Sequence, residues 1–149
     1  YLNIAELKTA SLFAASAGIG GLVGAGSREE INALYNYGRA VGVAFQIRDD
    51  ILDLTSSSNS SRAERANLVL AHYLGASARR DRVSEMLNHN ANQSQDEELE
   101  ALRCKAVDFA RRTSREHVQR AKSEITVLKD GQGKQALFAM ADFALEREI

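Results

Sequence analysis

The residues whose types and spacing best suit chemistry are Gln46, Asp49, Asp50 and Asp53, within the run Phe45-Gln46-Ile47-Arg48-Asp49-Asp50-Ile51-Leu52-Asp53. Three carboxylates stand at i, i+1 and i+4 inside a proline-free, largely apolar stretch, about residues 35–54, that reads as helix. At about 100° per residue, with Gln46 at zero, Asp49 falls at about −60°, Asp50 at about +40° and Asp53 at about −20°. All four polar side chains share one face. Most other positions are apolar (Val41, Val43, Ala44, Phe45, Ile47, Ile51, Leu52, Leu54), and a helix apolar nearly all round belongs in a core. Carboxylates on a buried stripe repel one another and are costly to desolvate unless they meet water or a bound cation. An oxygen-only ligand set suits Mg²⁺, which keeps several waters and often bridges to substrate phosphates. The competing reading, a solvated helix end, puts acidic groups where the macrodipole disfavours them.

The elements that must position these residues are helices. A first helix is expected over residues 3 to about 24, with Asn3 as N-cap and Glu6 completing a box-like pattern. It carries Lys8 and Thr9 near its start, then small residues including Ala14, Ala17 and Gly18, which let another backbone or an elongated ligand come close. Ser27 is expected to cap a second helix over about 29–54, with Glu29 and Glu30 in its first turn. On that helix Gly42 and Tyr35 fall beside Gln46, so a space is expected just upstream of the carboxylates. Arg39 projects near the same face, for which a salt bridge or a local bend is the simplest account. Residues 55–61 read as loop, either a flap over the carboxylates or a plain linker. Short helices are expected over 62–74 and 78–87, a polar loop over 88–95, a long charged helix from 96 to about 129, a turn over 130–133 and a last helix over 134–147.

The chain has 149 residues, 44% of them hydrophobic, and no proline, which suits an all-α protein with a sizeable core. Its net charge of −1 argues against nucleic acid as a partner. The single cysteine, Cys104, can form no internal disulfide and fits a reducing, cytoplasmic compartment. Residues 10–26 are the one candidate for membrane insertion, but the run is 17 residues long and rich in Ala, Gly and Ser, so no stable insertion is expected. His72, His89 and His117 are dispersed without metal-ligand spacing. Arg111, Arg112, Arg115 and Arg120 read as a solvated face, and Met86 and Met140 as packing residues.

Taken in order, Lys8-Thr9, Tyr37-Gly38, Gly42, Phe45-Gln46, the Asp49-Asp50-Ile51-Leu52-Asp53 motif and the tail Ala136-Leu137-Phe138-Ala139-Met140-Ala141-Asp142-Phe143 with Arg147 resemble the C-terminal half of the trans-isoprenyl diphosphate synthases, the polyprenyl synthetase family. A lone DDxxD is weak; the combination is specific. The resemblance implies an isoprenoid-synthase-type helical bundle around a central cavity, residues 1–149 being the C-terminal part of one such domain. It implies a prenyltransferase that condenses isopentenyl diphosphate with an allylic diphosphate, using three Mg²⁺ ions that bridge to diphosphate. By that likeness Asp49, Asp50 and Asp53 are metal residues, Lys8, Thr9 and Gln46 are catalytic, and Lys8, Thr9, Phe45 and Gln46 bind substrate. A homodimer is also implied.

Two features depart from the family. Its first aspartate-rich motif and the basic residues that bind isopentenyl diphosphate have no counterpart, and the loop after Asp53 is short and lacks the family's lysine. The chain as written is therefore expected to need a further half to act. The alternatives are a non-catalytic or half-site subunit of a heteromeric synthase, and a terpene cyclase-like enzyme that ionises a diphosphate. Lys8-Thr9 with Phe45-Gln46 favour the prenyltransferase over the cyclase.

Overall fold

The computed structural model describes residues 2–55 and 97–146, and the helices and loops expected between 56 and 96 lie outside these. Among the described residues every regular element is helical, as the missing prolines and the periodicity require. Helix α1 (Leu2–Ala5) passes through a π-helical turn (Glu6–Ala10) into α2 (Ser11–Val23) with right-handed helical dihedrals at both junctions. Asn3 is not the N-cap expected of it. It lies inside α1, with Leu2 already helical, whereas a capping residue needs non-helical backbone. No helix of the described residues is long and apolar enough to cross a membrane.

The end of α2 is a paired backbone lock. The Gly26 N–H donates to the Gly21 carbonyl at 2.9 Å and the Ala25 N–H to the Leu22 carbonyl at 3.1 Å, which satisfies two of the orphan carbonyls a helix end leaves. This places Ala25 at φ 54°, a left-handed conformation in which its Cβ crowds the following carbonyl. Ala25→Gly is therefore expected to stabilise the protein by about 1 kcal/mol, read as a higher urea midpoint with unchanged slope.

Ser27 then starts α3 (Arg28–Thr55) with a reciprocal cap: its N–H donates to Glu30 Oε2 at 2.7 Å while the Glu30 N–H donates to Ser27 Oγ at 3.2 Å. The Ser27 backbone N–H, helped by its hydroxyl, holds the Glu30 carboxyl below its ordinary pKa. Helix α4 (Glu97–Glu124) tightens into a 3₁₀ turn (Ile125–Val127), and Leu128 is extended, so the helix stops short of the expected 129. Lys134 terminates it: its Nζ donates to the carbonyls of Thr126 at 3.0 Å and Leu128 at 2.8 Å and pairs with Asp130 at 3.0 Å. Helix α5 (Gln132–Glu146) begins two residues before its expected start, because the Gly131 carbonyl already accepts the Gln135 N–H and opens the helix there.

Among the described residues, 2–48 and 113–146 fall in one compact unit and 49–55 and 97–112 in another. In the first, Tyr37, Ala40, Val41 and Ala44 of α3 pack with Val118, Ala121 and Ile125, and with Ala141 and Ala144 of α5. Mostly small side chains bring these helices close. The Tyr37 hydroxyl, pushed up to about 12 by burial, donates to the Leu137 carbonyl at 2.6 Å, and Ser114 Oγ donates to the Ala44 carbonyl at 3.2 Å. In the second unit, Asp50 and Ile51 are buried on α3 and Ala106 and Ala110 on α4.

His117 adds a pH dependence to the first unit. Burial, and then the Arg120 charge, lower its pKa below 6.5, against the opposing pull of Glu116 and Glu6. An imidazole with a depressed folded pKa contributes stability that is complete above the unfolded value and is lost as pH falls below it. The urea midpoint should fall between about pH 7.5 and about pH 5.5, and His117→Gln should fall less over the same interval.

Candidate functional site

The π turn is the local feature that distinguishes Lys8 and Thr9 from their neighbours. Widening one helical turn re-aims the side chains on it, and such turns recur at functional sites. Lys8 is exposed, while Thr9 is half-buried and donates its hydroxyl to Gln46 Oε1 at 2.5 Å. Gln46 is 8% exposed, so this bond orients an amide that has little freedom to turn elsewhere. The Phe45 ring is half-buried and lies 5.5 Å from that of Phe13 at 38°, a tilted pair that holds α2 against α3 beside the glutamine.

Two glycines permit the approach. A Cβ on Gly42 would stand 2.5 Å from the Ala10 Cα, and one on Gly38 would stand 2.4 Å from the Phe13 carbonyl oxygen. The room expected from Gly42 upstream of Gln46 is thus taken up, among the described residues, by Ala10 and Phe13. The backbone of the π turn fills the volume a side chain at 42 would take, which is what delivers Thr9 to Gln46. Tyr35 is 47% exposed and packs its ring against Gly18, a helix-packing role. Arg39 pairs with Glu6 on the same π turn, the salt bridge anticipated for it, and the Glu6 hydrogen bond raises the Arg39 pKa. Glu6 and Thr9 thus tie the turn to α3 at two points.

The carboxylates follow on the same unbroken helix. Asp49 stands one turn after Gln46 and is partly buried, Asp50 is 4% exposed, and the side chain of Asp53, on the last turn of α3, lies outside those described. Among the described residues no three His, Cys, Asp or Glu side chains converge as a metal cluster. Two consecutive carboxylates, one of them nearly fully buried, are nonetheless a hard, anionic donor set of the kind Mg²⁺ takes. A shallow cleft lined by Glu29, Ala33, Ser123, Glu124 and Val127 sits at the other end of α3, about 25 Å along the helix from Gln46, and is no part of this constellation.

Sequence patterning singled out Lys8, Thr9, Phe45, Gln46 and the three aspartates, but it identified neither Phe13 as the ring partner of Phe45 nor Glu6 as the partner of Arg39, and it did not reveal the π turn. Helix period alone carries no signal for one widened turn, since residues 6–10 have ordinary helix-forming composition.

Residues 1–104 match the family model for polyprenyl synthetase. A short chain isoprenyl diphosphate synthase of Methanothermobacter thermautotrophicus is 35% identical over 99% of this chain and 49% of its own length. The crystal structure of a polyprenyl synthase from Roseobacter denitrificans superposes with a TM-score of 0.79 at 28% identity, over 99% of this chain and 52% of that one. A geranylgeranyl pyrophosphate synthetase from Pyrococcus horikoshii gives 0.75 at 31% identity, over 95% of this chain and 46% of that one. The chain thus spans about half the length of the proteins it matches. With the family's helical fold, its model across the aspartate motif and relatives aligned along nearly the whole sequence, this chain belongs to the polyprenyl synthetase family.

Proposed function

We propose that the chain is the C-terminal part of a single all-α domain of a Mg²⁺-dependent trans-prenyltransferase that joins isopentenyl diphosphate to an allylic diphosphate. The observation that carries this reading is the Thr9–Gln46 hydrogen bond one helical turn before Asp49 and Asp50, in a chain of this family. When bound, Mg²⁺ ions, three by likeness to the family, supply positive charge to a departing diphosphate. Asp49, Asp50 and Asp53 would hold those ions. Lys8 offers a mobile ammonium to phosphate oxygens, and Thr9, through its bond to Gln46, orients the amide dipole toward the positive charge left on the allyl group. Apolar residues around Gln46, with Phe45 and Phe13 packed together, exclude water that would quench that cation.

The test is a product assay on the complete gene product with isopentenyl diphosphate and a series of allylic primers. Elongated diphosphates that require Mg²⁺ support the reading. Diphosphate release without consumption of isopentenyl diphosphate would instead mark a cyclase. A half-site subunit would instead show activity only in the presence of a partner chain.

The complete protein is proposed to act in the cytoplasm as a homodimer, since small residues and apolar helices leave more greasy surface than a small bundle covers alone. Sedimentation at micromolar concentration should give twice the chain mass; a clean monomer would contradict it.

A further inference from the structure

A widened turn inside a continuous helix is unfavourable on local grounds, and residues 6–10, Glu-Leu-Lys-Thr-Ala, give no local reason for one. The bond that widens it runs from the Ser11 N–H to the Glu6 carbonyl, five residues back instead of four. This takes from the Leu7 carbonyl the N–H that an α-helix would bring to it, and Ser11 Oγ donates there at 3.1 Å instead. Ser11 accommodates the turn but does not choose it, since a serine hydroxyl can bond the same carbonyl in an ordinary α-helix.

The choice falls to contacts with α3. Thr9 reaches Gln46, and Glu6, whose carbonyl accepts the widened bond, pairs through its side chain with Arg39. Arg39 and Gln46 share one stripe of α3, two turns and about 10 Å apart. The helices run antiparallel here, with Phe13 against Gly38 and Ala10 against Gly42. Arg39 therefore starts level with Phe13 and extends lengthwise past Ala10 to Glu6, so the pair spans the turn from one end to the other.

We propose that Glu6 and Arg39 are positioning residues for Lys8 and Thr9: their ion pair keeps residues 6–10 in the widened turn, and without it the segment relaxes to α-helix and re-aims both side chains. The consequence for chemistry rests on the prenyltransferase reading above; the consequence for the backbone does not.

The test uses the complete gene product with Arg39→Gln, Glu6→Gln, both together, and Arg39→Lys as the conservative variant. Amide hydrogen exchange, read by peptide mass spectrometry over residues 6–12, is expected to be at least about tenfold faster in the neutral variants. The melting temperature should stay within about 3 °C of the parent, because the Arg39 and Glu6 side chains are 49% and 31% exposed and such a pair adds little to global stability. At a temperature where every variant is folded, kcat is expected to fall about tenfold in each single neutral variant and no further in the double, while Arg39→Lys stays within about threefold of the parent. Unchanged exchange over residues 6–12 would overturn the proposal. So would faster exchange with an undiminished kcat, or losses that multiply to about a hundredfold in the double variant, which two independent residues would give. In a parent that makes no elongated diphosphate it is the assigned reaction that fails, and the exchange rates alone then uphold or overturn the role of the pair.

Discussion

Asp49→Asn in the complete protein is expected to lower turnover about a hundredfold while leaving the fold in place. Asparagine keeps the shape of the side chain and one acceptor oxygen but removes the charge that would hold a cation one turn beyond Gln46. Losing one charge-assisted contact at a phosphate-handling site is comparable to losing one preorganised oxyanion donor, on the order of 3 kcal/mol of transition-state stabilisation, which is roughly a hundredfold in rate. The Mg²⁺ concentration needed for half-maximal rate should rise in parallel. Asp142→Asn is the matched control. Asp142 accepts an ion pair from Lys122 at 2.6 Å on α5, so its loss should touch the melting temperature and spare both turnover and Mg²⁺ dependence. If Asp49→Asn kept its turnover and metal requirement, or merely unfolded, the aspartate stripe would be structural and the proposed chemistry wrong.

Gly42→Ala should destabilise the protein by about 2 kcal/mol, although helix propensity by itself predicts a gain of about 1 kcal/mol. The sign is decided by space. The added methyl would stand 2.5 Å from the Ala10 Cα, 3.0 Å from its Cβ and 3.1 Å from the Phe13 Cβ, and a backbone atom cannot swing aside as a flexible side chain would. The π turn must then back away from α3, which breaks the Thr9–Gln46 hydrogen bond next door. Function should therefore fall with stability, and a urea titration beside a rate measurement at a temperature where the variant is folded separates the two. Gly133→Ala calibrates the comparison: nothing lies within 4 Å of a Cβ there, so the same change in α5 should be neutral or mildly stabilising. A Gly42→Ala variant as stable as the parent would mean that α2 does not approach α3 as closely as described.

The sequence by itself determined the local half of this protein. Period and composition placed α3 to within one residue at each end, because a reciprocal Ser27–Glu30 cap and an uninterrupted apolar run are both local signals. They also placed Gln46, Asp49, Asp50 and Asp53 in order on that helix, since a helix converts spacing directly into direction. Tertiary structure decided the rest. Gly42 reads equally well as room for a ligand or room for a backbone, and only the packing of Ala10 against it chose the second. Arg39 has no carboxylate three or four residues away on its own helix, and it pairs with Glu6 only because α3 runs beside the π turn. Lys8 and Thr9 are adjacent in the chain, yet one is exposed and the other meets Gln46 across 37 residues, a division set by how one widened turn faces its neighbour. A hydrogen bond between distant residues depends on the crossing of two helices, and that crossing is settled by summed side-chain contacts along both rather than by any pattern within one.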